Sequence, residues 1–63
     1  MFIHFTTQYG SNIAYNTDKI HYVYRSDSRI YILRSKSEDK YDFDNEETAK
    51  NVYDYILAQL KEA

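Results

Sequence analysis

Hydrophobic and polar positions alternate through the first two thirds of the chain and change to helical spacing in the last third. Met1 to Thr7 is rich in aromatic and β-branched residues, which predicts a strand over 1–7. It stops at Gln8-Tyr9-Gly10-Ser11, where the only glycine marks a turn that needs unusual backbone angles. A second strand over 12–15 completes a hairpin, and Asn16-Thr17-Asp18 supplies the next bend through side chains that bond nearby backbone groups. Strands over 19–25 and 29–34 follow, separated by Ser26-Asp27-Ser28. Ser35 to Asp39 is wholly polar and reads as a loop before a short fifth strand over 40–43.

From there the period changes. Ala49, Val52, Tyr53, Ile56 and Leu60 recur at helical spacing, with Lys50, Asn51, Asp54, Lys61 and Glu62 on the opposite side. The pattern predicts an amphipathic helix over 46–62. Asp44 or Asn45 serves as its N-cap, Asp44 with Glu47 has capping-box spacing, and Glu46 and Glu47 suit the positive end of the helix dipole. Every connection is short, so consecutive strands pair antiparallel. The expected fold is α+β: an antiparallel β-meander of four to five strands with one C-terminal helix packed on one face, a single domain over 1–63.

Register decides what the sheet presents. A three-residue turn at Ser26-Asp27-Ser28 sets Arg25 opposite Arg29, and places Ile20, Tyr22, Tyr24, Ile30 and Ile32 together on the face toward the helix. The other face then carries His21, Val23, Arg25, Arg29, Tyr31 and Leu33, which is too apolar for a fully solvated surface. One helix covers one face. Either the second face packs on a copy of itself, as a homodimer, or it binds another partner, or the strands curl around both sets.

Composition narrows the classes. With 63 residues, the chain forms one domain at most and buries only about 60% of its unfolded surface, so its core is marginal. It has no cysteine, which removes disulfide scaffolds and thiol chemistry. No apolar run approaches the ~18 residues of a membrane helix, and the first residues lack the basic-then-apolar order of a signal peptide. A soluble cytoplasmic protein is expected. The excess of Phe, Tyr, Ile, Asn and Lys over Gly, Ala, Arg and Pro is what an A/T-rich bacterial or phage genome produces, so codon drift accounts for part of the tyrosine count.

Charge is divided along the chain. Residues 1–36 carry a net +3 and residues 37–63 a net −5. Glu38, Asp39, Asp42, Asp44, Glu46 and Glu47 form a dense acidic run broken by Lys40. That run reads either as a solvated loop with helix capping, or as a patch that docks on the basic groove of another protein.

Little in the chain points to chemistry. His4 and His21 are the only imidazoles and sit mid-strand beside apolar residues, where a structural role is expected; no metal-ligand spacing is present. The carboxylates lack the apolar surroundings that raise a pKa for acid catalysis. No enzyme activity, metal or cofactor is expected. Single-stranded nucleic-acid binding is the competing reading, since Tyr22, Tyr24 and Tyr31 lie near Arg25, Arg29, Arg34 and Lys36. Against it stand the net charge of −2 and the absence of an RNP-type motif.

The succession of Ile3-x-Phe5-Thr6, Gly10 in the first turn, Asn16 leading to Ile20 and Val23, Ile30-x-Ile32-Leu33, a short strand and one terminal helix resembles the small FlbD-type flagellar proteins and similar short bacterial or phage proteins. The resemblance implies a small accessory or regulatory role and no catalytic residues. The combined expectation is a non-enzymatic interaction module, a regulator or inhibitor of a larger bacterial protein, of phage or bacterial origin. It would bind through the open sheet face or the acidic segment.

Overall fold

The structure is a computed structural model that describes residues 1–62. Five antiparallel strands, β1 (Phe2–Thr6), β2 (Asn12–Asn16), β3 (Ile20–Ser26), β4 (Arg29–Arg34) and β5 (Glu38–Asp42), precede the helix α1 (Glu46–Glu62). The α+β, antiparallel character matches the sequence reading. The meander is divided, however, into a two-stranded sheet β1–β2 and a three-stranded sheet β3–β4–β5. A 3₁₀ turn at Thr17–Lys19 separates them, with Asn16 as its cap accepting a hydrogen bond from Asp18 N–H at 3.0 Å. Among the described residues, no helix is long and apolar enough to cross a membrane.

The core lies where the two sheets and the helix meet. Ile3, Phe5 and Tyr15 come from the hairpin, Ile30 and Ile32 from β4, Phe43 from the link to the helix, and Ala49 and Ile56 from α1. Val52, Tyr53 and Leu60 pack against this cluster, so the inward helix face is the one its spacing predicts. Asn45 is the N-cap: its Oδ1 accepts from Thr48 N–H at 2.8 Å, satisfying a donor that the first helical turn leaves free.

Gly10 sits at φ +83° with open space around an added Cβ, so its requirement is the backbone angle alone. Gly10→Ala is expected to cost about 1–2 kcal/mol, the penalty for holding an L-residue left-handed. Urea denaturation followed by circular dichroism measures it, and an unchanged midpoint would show that the turn tolerates a different conformation.

The expected register of the β3–β4 hairpin is corrected by the structure. Ser26 pairs with Arg29, leaving a two-residue turn of Asp27 and Ser28 rather than a three-residue one. Asp27 takes φ +54°, the left-handed region that two-residue hairpin turns demand and that aspartate tolerates. Arg25 therefore opposes Ile30, Val23 opposes Ile32, and Tyr24 opposes Tyr31. The one-residue change brings Val23 and Arg25 to the core side and sends Tyr22 and Tyr24 outward, because side chains alternate with period two. A bulge between Ile20 and Tyr22 then restores the alternation, pairs Ile20 with Arg34 and lets Ile20 pack on the core. A second correction concerns Ser35 to Asp39, where Glu38 and Asp39 belong to β5, opposite Leu33 and Ile32.

Candidate functional site

The outer face of β3–β4–β5 is built from three cross-strand rows. Tyr22, Leu33 and Glu38 form the first, Tyr24, Tyr31 and Lys40 the second, and Ser26, Arg29 and Asp42 the third, at the hairpin end. The tyrosines are in mutual contact. Tyr24 and Tyr31 stack with ring centroids 4.4 Å apart and planes 8° from parallel, while Tyr22 lies tilted against Tyr24 at 5.5 Å. Such cross-strand aromatic pairs stabilise a sheet and hold each other's rotamers, so the row is a preset surface. Tyr22 and Tyr24 nevertheless remain 47% and 39% exposed.

Charges on this face are balanced in place. Arg29 donates from Nε to Asp42 Oδ1 at 2.5 Å and from its terminal nitrogen to Oδ2 at 3.3 Å, a two-pronged pairing. The pair holds Asp42 below the usual carboxylate range, chiefly through the hydrogen bond from Arg29. At the other end the Tyr24 hydroxyl reaches Glu38 Oε2 at 3.5 Å. Displacement of water by the neighbouring rings, and then the Glu38 charge, push the Tyr24 hydroxyl above its ordinary value.

The partner-face residues read from the sequence thus separate. Arg29, Tyr31 and Leu33 lie on the outer face, whereas Val23 and Arg25 lie on the core side, where Val23 packs on the core and Arg25 approaches Glu46 at 3.7 Å. His21 is exposed at the bulge. Tyr22 and Tyr24 are the residues that the sequence reading placed toward the helix. The available signal was Asp27, whose tolerance of positive φ favours the shorter turn.

The acidic run is likewise distributed. Asp39 faces the interior side of β5, where its Oδ2 accepts from the Tyr15 hydroxyl at 2.6 Å and is paired with Arg34 Nε at 3.0 Å; the Tyr15 hydroxyl also meets that of Tyr41. Asp42 is bound to Arg29, Glu46 lies near Arg25, and Glu38 borders the tyrosines. Asp44 and Glu47 are exposed at the start of α1, and it is Asn45 that caps the helix. Among the described residues, no group of three or more His, Asp or Glu side chains converges to hold a metal.

No protein-family model, no curated protein and no solved structure matches this chain.

Proposed function

We propose that this chain is a small protein-binding module, a regulator or inhibitor of a larger protein, acting by surface occupation rather than by catalysis. It presents the outer face of β3–β4–β5. The observation that carries the reading is the exposed stack Tyr22–Tyr24–Tyr31, flanked by Leu33 and by the neutralised Arg29–Asp42 pair. Tyrosine and arginine on a rigid, partly apolar surface are the residues that dominate binding energy at protein interfaces.

Single-stranded nucleic acid is the second reading, favoured by the same three tyrosines, on whose rings bases stack. The charges weigh against it. Each of the three arginines is already beside an acid: Arg25 with Glu46, Arg29 with Asp42 and Arg34 with Asp39. Of the residues in the tyrosine rows, Lys40 alone brings a cation that no carboxylate neutralises there. Phosphate binding depends on such cations.

One comparison separates these readings. A partner protein captured by the wild-type chain is expected to lose at least about 30-fold in affinity on Tyr24→Ala with Tyr31→Ala, the effect of removing a single interface hot spot of about 2 kcal/mol. Circular dichroism verifies that the variant stays folded. Equal capture by the variant would overturn the assignment of this face. Oligonucleotide binding that weakens steeply with salt and with the same variant would transfer it to nucleic acid, and retention of the partner by that variant but not by Asp44→Lys with Glu47→Lys would transfer it to the acidic segment.

A further inference from the structure

The four edge strands of the two sheets are protected unequally. β1 has its free edge covered by the helix: His4 N–H donates to Gln59 Oε1 at 2.8 Å, and Gln59 Nε2 donates to His4 C=O at 2.8 Å. The side-chain amide there stands in for a neighbouring strand. β5 carries Glu38, Asp39, Lys40 and Asp42, and β3 is bent by its bulge and carries Arg25. Charges and bulges of this kind discourage further strand pairing. β2 has neither. Its sequence, Asn12-Ile13-Ala14-Tyr15-Asn16, contains no charge and no proline, and no other strand pairs with its second edge among the described residues.

The ladder shows which backbone groups that edge exposes. Tyr15 opposes Ile3 and Ile13 opposes Phe5, and beyond them Thr17 N–H bonds Met1 C=O and Thr7 N–H bonds Ser11 C=O, both at 2.9 Å. Those alternate pairs exchange the β1–β2 hydrogen bonds. The intervening His4 directs its backbone groups outward to Gln59, and by the same alternation Asn12 and Ala14 direct N–H and C=O, and Asn16 its N–H, to the open edge of β2, while the Asn16 C=O is engaged as the cap of the 3₁₀ turn. Buried strands satisfy such groups with a neighbour; here none is present among the described residues.

We propose that β2 pairs antiparallel with β2 of a second copy of this chain, joining two hairpins into one four-stranded sheet. The strand is palindromic in chemical class about Ala14. A two-fold axis there sets Ala14 against Ala14 of the second copy and Asn12 against Asn16 of the second copy. In that register the two Ala14 residues exchange both their N–H and C=O bonds, and each Asn16 N–H meets the Asn12 C=O of the second copy. The same register opposes Ile13 to Tyr15 of the second copy on the inner face, a β-branched and aromatic pairing, and brings no like charges together. Displacing the register by one residue would oppose outward to inward backbone groups, so the contact specifies its own alignment.

Light scattering tests this on the whole chain. The wild type is expected to rise from one chain to two between ~10 μM and ~1 mM, the range of a short strand-to-strand contact. Ala14 is exposed, so Ala14→Lys and Ala14→Glu leave the protomer folded; each alone is expected to remain a single chain because like charges meet at the axis. An equimolar mixture of the two is expected to recover dimers at lower concentration than the wild type. The Ala14 amide of the wild type is expected to gain hydrogen-exchange protection with concentration, a readout that needs no variant. A wild type that stays a single chain at ~1 mM, dimers untouched by Ala14→Lys, or a mixture that fails to recover them would each overturn the proposal.

Discussion

Ile32→Ala is expected to remove a large share of the chain's folding stability. Ile32 is fully buried in the middle of β4, between Val23 and Asp39 on its neighbouring strands. Removing its side chain loses transfer free energy and leaves a cavity, together about 2–5 kcal/mol. A chain of 63 residues has only about 3–9 kcal/mol to lose, at the usual ~0.05–0.15 kcal/mol per residue. The core that the two sheets and one helix enclose is small, so few neighbours are available to close the void. Ile32→Val, which deletes one methyl, is expected to cost about 0.5–1.5 kcal/mol. Leu33→Ala, on the outer face one residue along, should fall below about 1 kcal/mol. Thermal and urea melts of the three variants give the order directly. A Leu33→Ala loss as large as that of Ile32→Ala would contradict the assignment of inner and outer faces.

The second large effect concerns alkaline pH. Tyr15 is buried between the sheets and donates to Asp39, with the Tyr41 hydroxyl beside it. Burial first, then the hydrogen bond to Asp39 and the neighbouring Tyr41, push the Tyr15 hydroxyl far above its ordinary value. A phenol is neutral when protonated, so a folded-state pKa above the unfolded one means that Tyr15 contributes fully below about pH 10. That contribution is lost as pH rises from about 10 toward the folded value, at about 1.4 kcal/mol per pH unit for the one proton involved. Two units of alkali therefore consume much of the stability of so small a domain. Tyr15→Phe is expected to behave in the opposite sense at the two ends of the range. At neutral pH it costs about 1–2 kcal/mol, because the Asp39 carboxylate loses its buried donor and retains Arg34. Above pH 10 its stability falls less steeply than that of the wild type. Urea midpoints from pH 7 to 11.5, with tyrosinate absorbance at 295 nm, test both limbs. Parallel pH profiles for the two proteins would contradict the burial of this hydroxyl.

Where the sequence was sufficient, the information was local. The helix over 46–62 follows from spacing on one strand of chain: Ala49, Val52, Tyr53, Ile56 and Leu60 lie on one side whatever surrounds them, and all five reach the core. Alternation within each strand was equally plain, so Ile30 with Ile32, and Ile3 with Phe5, could be assigned to a common face and are buried. The candidate site was legible only in part. Arg29, Tyr31 and Leu33 lie on the outer sheet face as expected, but Val23 and Arg25 do not accompany them. The acidic run looked like one feature because its members are neighbours in the chain. Alternation along β5 sends Asp39 inward to Tyr15 and Arg34 while Asp42 faces outward to Arg29, so one run serves two surfaces.

By itself, then, the sequence determined the kinds of element, their order and the alternation of residues within each. Only the tertiary structure decided how one strand is set against the next. Whether the β3–β4 turn holds two residues or three turns on the backbone angle of Asp27, and whether Ile20 reaches the core turns on a bulge beside it. Both are small local energies that hydrophobic pattern alone leaves unresolved, since either register buries Ile30 and Ile32. Packing against the hairpin and the helix goes with the register that also sets Val23 against the core and leaves Tyr22 and Tyr24 outside. The three-tyrosine face is therefore a property of strand pairing, formed when the core chooses the other side of the sheet.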